Sequence, residues 1–257
     1  MIVFPEKKIY FASDFHFGVP DHASSLKRER FFIEWLDIVK NDASEIFLMG
    51  DLFDFWFEYK TVIPKGFVRL LGKLAELTDA GIQVHLFRGN HDVWAFDYLN
   101  KELGIQLHRA PVVRVFNERK FFLAHGDGLG PGDHGYKFLK KVFESPLNQW
   151  LFRWLHPDIG TRMGLYFSRR SRISNNAKEG KLEKTLNIEG ERLYQFCNEY
   201  LASHPGINYF LLGHRHLPYD TNINESSRFI NLGDWITHFS YAEFDGKDLN
   251  LKFFKPY

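Results

Sequence analysis

The chain alternates short apolar runs with longer stretches in which apolar residues return every three or four positions. The runs "KIYFASD" (8–14), "EIFLMGD" (45–51), "IQVHLFRGN" (82–90), "RKFFLAHGD" (119–127), "INYFLLGHRH" (207–216) and "SRFINLGD" (227–234) read as strands. In "KRERFFIEWLDIVKN" (27–41), Phe31, Phe32, Trp35, Leu36 and Val39 form one stripe, which predicts an amphipathic helix. "FVRLLGKLAELTDAG" (67–81) predicts another, with Gly81 as its C-terminal stop. Strands alternating with helices predict an α/β fold. The alternation breaks from Asp133 to Arg192, a helical, basic stretch with no convincing strand. The expected organisation is a core from 1–132 and 193–257, with 133–192 inserted as a helical cap.

Composition narrows this picture in a few places. A 257-residue chain that is 44% hydrophobic can bury a large core, as one domain or as a domain with an insertion. A net charge of +1 gives no whole-chain attraction to nucleic acid, so a nuclease is disfavoured. The single cysteine, Cys197, excludes a disulfide framework. The N-terminus lacks a signal-peptide layout, and no apolar run approaches the roughly 18 residues that span a bilayer. A cytoplasmic protein is expected, with peripheral membrane contact compatible.

The chemistry gathers at the strand ends. Asp14 and His16 follow the first run and Asp51 the second. Asn90, His91 and Asp92 follow the third, His125 the fourth, and His214 and His216 the fifth. Sites in open α/β sheets form outside the carboxyl ends of strands. In an extended segment, residues two apart point the same way, so Asp14/His16 and His214/His216 are each expected to face one site. A lone strand-end Asp or His is usually a turn residue, but here five strand ends agree. Gly50, Gly89, Gly126 and Gly213 each neighbour a candidate, where a glycine lets the backbone come close. Two carboxylates, an amide and four imidazoles suit borderline divalent metals and are too many for one ion with open positions. Two ions sharing a bridging carboxylate would use them all.

The blocks "DFHFG", "GDLFDFW", "GNHD", "HGD" and "GHRH", in that order, resemble the five blocks of the calcineurin-like metallophosphoesterases. The resemblance implies a four-layer α/β/β/α sandwich and a dinuclear centre of divalent ions, manganese foremost, with iron, zinc or magnesium as alternatives. It implies that Asp14, His16, Asp51 and His216 hold one ion. Asp51, Asn90, His125 and His214 hold the other. His91 then stands where the superfamily places a catalytic histidine, and Asp92 is expected to fix its orientation.

The insertion is similar to the cap of the UDP-2,3-diacylglucosamine pyrophosphohydrolases of lipid A synthesis. These enzymes cleave a nucleotide-sugar lipid to UMP and the acylated sugar 1-phosphate. Asp133, Tyr136, Ser171, Asn175 and Lys178 match cap positions that touch the nucleotide sugar in that family, and Asn90, His91 and His214 complete the expected substrate contacts. Many members carry Arg where this chain has His91, which leaves phosphate binding and proton transfer both open for it. The alternatives are another metallophosphoesterase, such as a nucleotide phosphodiesterase or protein phosphatase, and a non-catalytic scaffold. No obligate protein partner is implied.

Within the cap, Ser145 and Pro146 read as a helix start. Leu147, Trp150, Leu151, Trp154 and Leu155 then form a stripe, with Phe152 off it. The stripe either packs on the domain or meets acyl chains. Arg153, Arg162, Arg169, Arg170 and Arg172 form either a solvated face or one set against anionic lipid headgroups at the bacterial inner membrane.

Overall fold

The computed structural model describes residues 7–182 and 188–255, with the side chains of 173–182 and 189 outside the described set. The first part of the chain runs β1 (Lys8–Ala12), α1 (His22–Val39), β2 (Ala43–Leu48), α2 (Val68–Asp79), β3 (Gln83–Phe87), α3 (Tyr98–Leu103), β4 (Gln106–His108), β5 (Val112–Phe116) and β6 (Arg119–Leu123). Helices α4 (His134–Glu144), α5 (Pro146–Arg153), α6 (Pro157–Leu182) and α7 (Arg192–Ser203) follow. The chain then returns to strands: β7 (Tyr209–Leu212), β8 (Pro218–Asn222), β9 (Arg228–Leu232), β10 (Ser240–Phe244) and β11 (Leu249–Phe253).

These strands make a six-stranded sheet, ordered β11-β10-β1-β2-β3-β4, and a five-stranded sheet, ordered β5-β6-β7-β9-β8. The central strands β1, β2 and β3 pair in parallel, as do β6, β7 and β9. Their apolar runs are continuous because both faces are buried. On β1, Ile9 and Phe11 join Phe47, Phe121, Leu211 and Ile230 between the two sheets. Tyr10 and Ala12 face the other way, onto Phe32, Trp35 and Leu36 of α1 and Leu70 and Leu74 of α2. Beyond the second sheet, Leu193 and Cys197 of α7 cover Phe122, Phe210 and Phe229. Helix, sheet, sheet and helix are the four expected layers.

Helices α4, α5 and α6 stand apart from those layers. No residue of α4 or α5 is buried. Their apolar contact with the core is a cluster of Phe55, Phe57, Val93 and Trp94, against which Phe143, Phe152 and Leu165 pack. The expected α5 register is corrected here. Phe152, off the predicted stripe, is the residue that turns inward, its ring 4.6 Å from Trp94 and 4.7 Å from Phe57. Leu147, Trp150, Leu151 and Trp154 are 51–75% exposed. The physical reason is that the inner side of the helix meets a small aromatic cluster that one ring fills. The broad stripe has no protein surface to cover it among the described residues.

Candidate metal centre

The central parallel strands end on one edge, and the polar residues follow within a few positions. Convergence does not come from an extended segment, which corrects the expected geometry. β1 stops at Ala12 and β7 at Leu212, and Asp14, His16, Asp51, His214 and His216 all have left-handed φ angles of 45–69°. They make up five of the ten described non-glycine residues with positive φ, a costly conformation that persists only where the surroundings over-determine it. The surroundings here are backbone bonds between neighbouring loops. Asp14 and His16 donate their N–H groups to the carbonyls of Gly50 and Asp51, at 3.1 and 2.9 Å. The His214 N–H donates to Asp14 Oδ2 at 2.8 Å, and the His91 N–H to Asp51 Oδ1 at 2.9 Å. Gly89 and Gly213 are required by the crowding. A Cβ at Gly89 would stand 2.1 Å from Asp51 Oδ1, and one at Gly213 would stand 2.0 Å from Ser13 Oγ.

Ligand-type atoms come together in three overlapping groups: Asp14, His16 and His216; His16, Asp51 and His91; and Asp51, His125 and His214. Asp51 Oδ2 is 3.6 Å from His16 Nε2 and 3.3 Å from His125 Nε2, so one oxygen belongs to both ends of the cluster. Asn90 Oδ1 lies 3.4 Å from His125 Nε2. Asp14 Oδ1 is 3.3 Å from His216 Nε2, yet it is buried without a hydrogen-bond partner. A buried carboxylate oxygen left orphaned is rare, and it fits a cation in that position. His125 Nδ1 donates to the Met49 carbonyl at 2.9 Å, which turns its Nε2 to the cluster. Burial holds His16 well below the usual imidazole range and His214 down at about 3, so both are in the neutral form that binds metal. Burial alone would also lower His125, but the adjoining Asp51 carboxylate outweighs it and raises His125 to about 10. The donor set of oxygen and imidazole nitrogen suits borderline divalent ions.

Residues 7–218 match the family model of the calcineurin-like phosphoesterases. The chain belongs to that family. Phosphoesterases of this family use divalent metal ions, in keeping with the donor set above. The chain is 40% identical to a UDP-2,3-diacylglucosamine hydrolase from Porphyromonas gingivalis, covering 95% of this chain and 97% of that protein. A protein of the same name from Hahella chejuensis is 30% identical, over 94% of this chain and 96% of its own length.

In this phosphoesterase His91 sits beside the cluster, its ring 4.6 Å from that of His16. Its Nδ1 donates to the Asp54 carbonyl at 2.9 Å, with Ser168 Oγ at 3.0 Å, which turns Nε2 away from these partners. The structure corrects the expectation that Asp92 orients His91. The Asp92 carboxylate instead accepts the N–H groups of Gly89 and Leu52, each at 2.7 Å, clamping two loops together. Asp54, which sequence reasoning passed over although it lies in the "GDLFDFW" block, takes the orienting position. Its carboxylate accepts from Ser168 Oγ at 2.7 Å, pairs with Arg172 and lies 3.5 Å from His16 Nδ1. Arg172 is therefore drawn into the site and is not on a solvated or lipid-facing surface. Two other carboxylates were missed. Asp127 receives Tyr136 Oη at 2.6 Å and Lys140 Nζ at 2.7 Å, and Asp234 lies 3.6 Å from His216 Nδ1. Both stand in "GD" pairs like that of Asp51, which is the signal that was available.

A cavity of about 480 Å³ opens beside the cluster, between core and cap. Asn90, His91, Tyr136 and Ser171 line it, as expected of substrate contacts. Asp133 does not. It pairs with Arg192 of α7 at 3.3 Å, at the exposed start of α4. The side chains of Asn175 and Lys178 lie outside the described residues.

Proposed function

We propose that this phosphoesterase hydrolyses UDP-2,3-diacylglucosamine at its pyrophosphate, giving UMP and 2,3-diacylglucosamine 1-phosphate for lipid A biosynthesis. The observation that carries this reading is the make-up of the cavity. One end is Asn90, His91 and Asp54, and most of the remaining wall is apolar, with Val93, Trp94, Leu139, Phe143 and Phe152 among its residues. Its volume of about 480 Å³ falls in the range of ligand sites. A phosphate placed at the His91 end leaves the acylated part against hydrocarbon and aromatic rings. A water-soluble phosphodiester gives that wall nothing to bind. The names of the relatives point to the same substrate.

Asp14, His16, Asp51 and His216 would hold one divalent cation, and Asp51, Asn90, His125 and His214 a second, with manganese the foremost candidate. Such a pair, when bound, clamps phosphoryl oxygens and lowers the pKa of a bound water. The chain's own residues do the rest. Asp51, whose Oδ2 lies near both His16 and His125, would serve both positions. The Asp54 carbonyl holds one proton on His91 Nδ1, so stabilising the phosphoryl charge or protonating the leaving group from Nε2 requires the imidazolium, with a second proton on Nε2. Tyr136 and Ser171 flank the sugar end of the cavity, and Asp127 anchors Tyr136. The core, 1–132 with 193–257, carries the chemistry, and the cap, 133–192, carries the lipid.

Among the described residues no helix is long and apolar enough to cross a membrane. The outer face of the cap presents Trp150, Leu151 and Trp154 to solvent, with the basic residues Arg162, Arg169 and Arg170 exposed nearby in sequence. This combination supports peripheral contact with the anionic cytoplasmic face of the inner membrane, where a diacylated substrate resides. The test is to incubate the purified protein with UDP-2,3-diacylglucosamine and with soluble phosphodiesters, across several divalent metals. Release of UMP from the lipid is the expected result. Hydrolysis of the soluble esters with the lipid untouched would return the protein to the general phosphoesterases.

A further inference from the structure

Helix α6 runs between two cavities. The first is the space beside His91. The second, about 190 Å³, lies towards α1 and the loop before α2, with Leu26, Phe67, Thr161 and Leu165 in its lining. Met163 and Gly164 open on the first cavity, and Thr161 and Leu165 on the second. Phe55 lines both. Its ring is 9% exposed and fits into the space left by a missing side chain, because a Cβ at Gly164 would stand 2.1 Å from it. Phe55 and the α6 turn around Gly164 thus stand between the two cavities.

Alone, the second cavity is smaller than the roughly 300–1,000 Å³ of ligand pockets, so it is not a site in its own right. As a continuation of the first it has the right chemistry. Its polar members on α1 are His22, Ser25 and Glu29, and the last two, deeper along the helix, already have partners. Ser25 Oγ accepts the Gly18 N–H at 2.7 Å, and Glu29 Oε1 accepts the Leu70 N–H at 3.2 Å. The apolar part of the lining includes Leu26, Phe67 and Leu165, which suit hydrocarbon, and Leu165 packs against the cluster that contains Phe55.

We propose that Phe55 is the partition that sets the longest acyl chain the enzyme accepts. A fatty acyl chain entering the first cavity stops at the Phe55 ring, and the space behind the ring is closed to it. The proposal rests on the acyl-chain reading of the first cavity given above.

The experiment compares kcat/KM for the metal-loaded wild type and Phe55→Ala on UDP-2,3-diacylglucosamines whose acyl chains lengthen in two-carbon steps. The wild type is expected to fall off steeply beyond one length. Phe55→Ala should move that cut-off to longer chains, gaining about fourfold for each methylene newly buried, the equivalent of about 0.8 kcal/mol. Refilling the second cavity in Phe55→Ala with Leu165→Phe should bring the cut-off back. The comparison is a ratio between chain lengths in one protein, so a general loss of rate does not imitate it. Should Phe55→Ala fail to fold, Phe55→Leu removes less of the ring and should shift the cut-off by a smaller step. An unchanged cut-off in a folded variant, or a shift that survives Leu165→Phe, overturns the partition. Failure of the wild type to release UMP from any chain length overturns the substrate reading first, so the two failures are distinguishable.

Discussion

The rim of strand-end loops and the cap above it are built on opposite terms. At the rim, Asp14, His16, Asp51 and His125 are buried, five residues take left-handed backbones, and a Cβ on Gly89 or Gly213 would collide with its neighbours. Nothing there can shift without disturbing several loops at once. In α4 and α5 no residue is buried, while Trp150 and Trp154 stand 54% and 75% exposed. The difference separates two tasks. Donor atoms for cations must be held to within a fraction of an ångström whatever the substrate, so strain is tolerated to fix them. A surface for hydrocarbon needs area and apolarity more than position, so it can sit on helices with little core of their own. Perturbing the rim should therefore stop all turnover, and perturbing the cap should sort substrates.

The largest effect should come from Asp51. Asp51→Ala removes the oxygen that lies near both His16 and His125, and is expected to lose metal at both positions and reduce activity to background. His16→Ala should retain one ion. Elemental analysis of the two purified variants decides this, and two tightly held ions in Asp51→Ala would defeat the bridging role.

His91→Ala should come next, with metal content and fold kept and the rate reduced about 10²–10⁴-fold, as for loss of a general acid or base. Asp92 gives the contrast within the rim. Asp92→Ala leaves the buried N–H groups of Gly89 and Leu52 without their acceptor, at about 1–3 kcal/mol each. Its effect should appear in thermal unfolding as a lowered Tm. A variant with unaltered Tm and a His91-like rate defect would restore Asp92 as the orienting residue.

In the cap, Phe152→Ala should open the contact with Phe57 and Trp94 and widen the cavity wall. A large apolar side chain lost from such a contact is worth about 1.5–3 kcal/mol, or roughly ten- to a hundredfold in kcat/KM on the lipid substrate. Soluble phosphodiesters meet the same rim without that wall, so their hydrolysis should change much less. Equal losses on both would show that Phe152 supports the metal loops and has no separate part in lipid binding.

Much of the rim was legible in the sequence because each of its residues follows an apolar run. Asp14, Asp51, His125 and His214 could be picked out by position alone, and the strand runs of β1, β2, β3, β6, β7 and β9 placed them on one edge. The local conformation was not legible, since left-handed φ angles at Asp14 or His216 arise from pairing between loops distant in sequence. Asp54 was missed for a related reason. Its partners Ser168 and Arg172 lie on α6, more than a hundred positions along the chain. Strands such as β5 and β8 escaped because each lies at a sheet edge. β5 carries exposed Val113 and Val115, and β8 reads "PYDTN", so neither shows a buried apolar run. In α5 the periodic stripe was real, and of the two readings left open for it the exposed Leu147, Trp150, Leu151 and Trp154 remove packing on the domain. Periodicity shows that a helix has an apolar face, and it does not say whether that face meets protein.

The exposed stripe leads to the smallest expected effect. Trp150→Ser combined with Trp154→Ser removes exposed rings whose centroids lie 6.0 Å apart, from a surface that no described residue covers. Folding loses little by this change, so Tm should stay within the range of ordinary surface substitutions, about ±0.5 kcal/mol in stability. Turnover of the lipid presented in detergent should also hold, because the rings lie outside the cavity. What should fall is partition onto vesicles containing anionic lipid, measured by flotation, and with it turnover of substrate embedded in those vesicles. Replacing Arg169 and Arg170 with Gln should weaken the same partition by about 1 kcal/mol for each charge near the surface, and raising the salt should do likewise. The tryptophan variant should be indifferent to salt. If both variants bind vesicles as the wild type does, the outer face of the cap has no membrane task. If the tryptophan variant unfolds at a markedly lower temperature, the stripe packs on protein after all, and the contrast between rim and cap is weaker than the geometry implies.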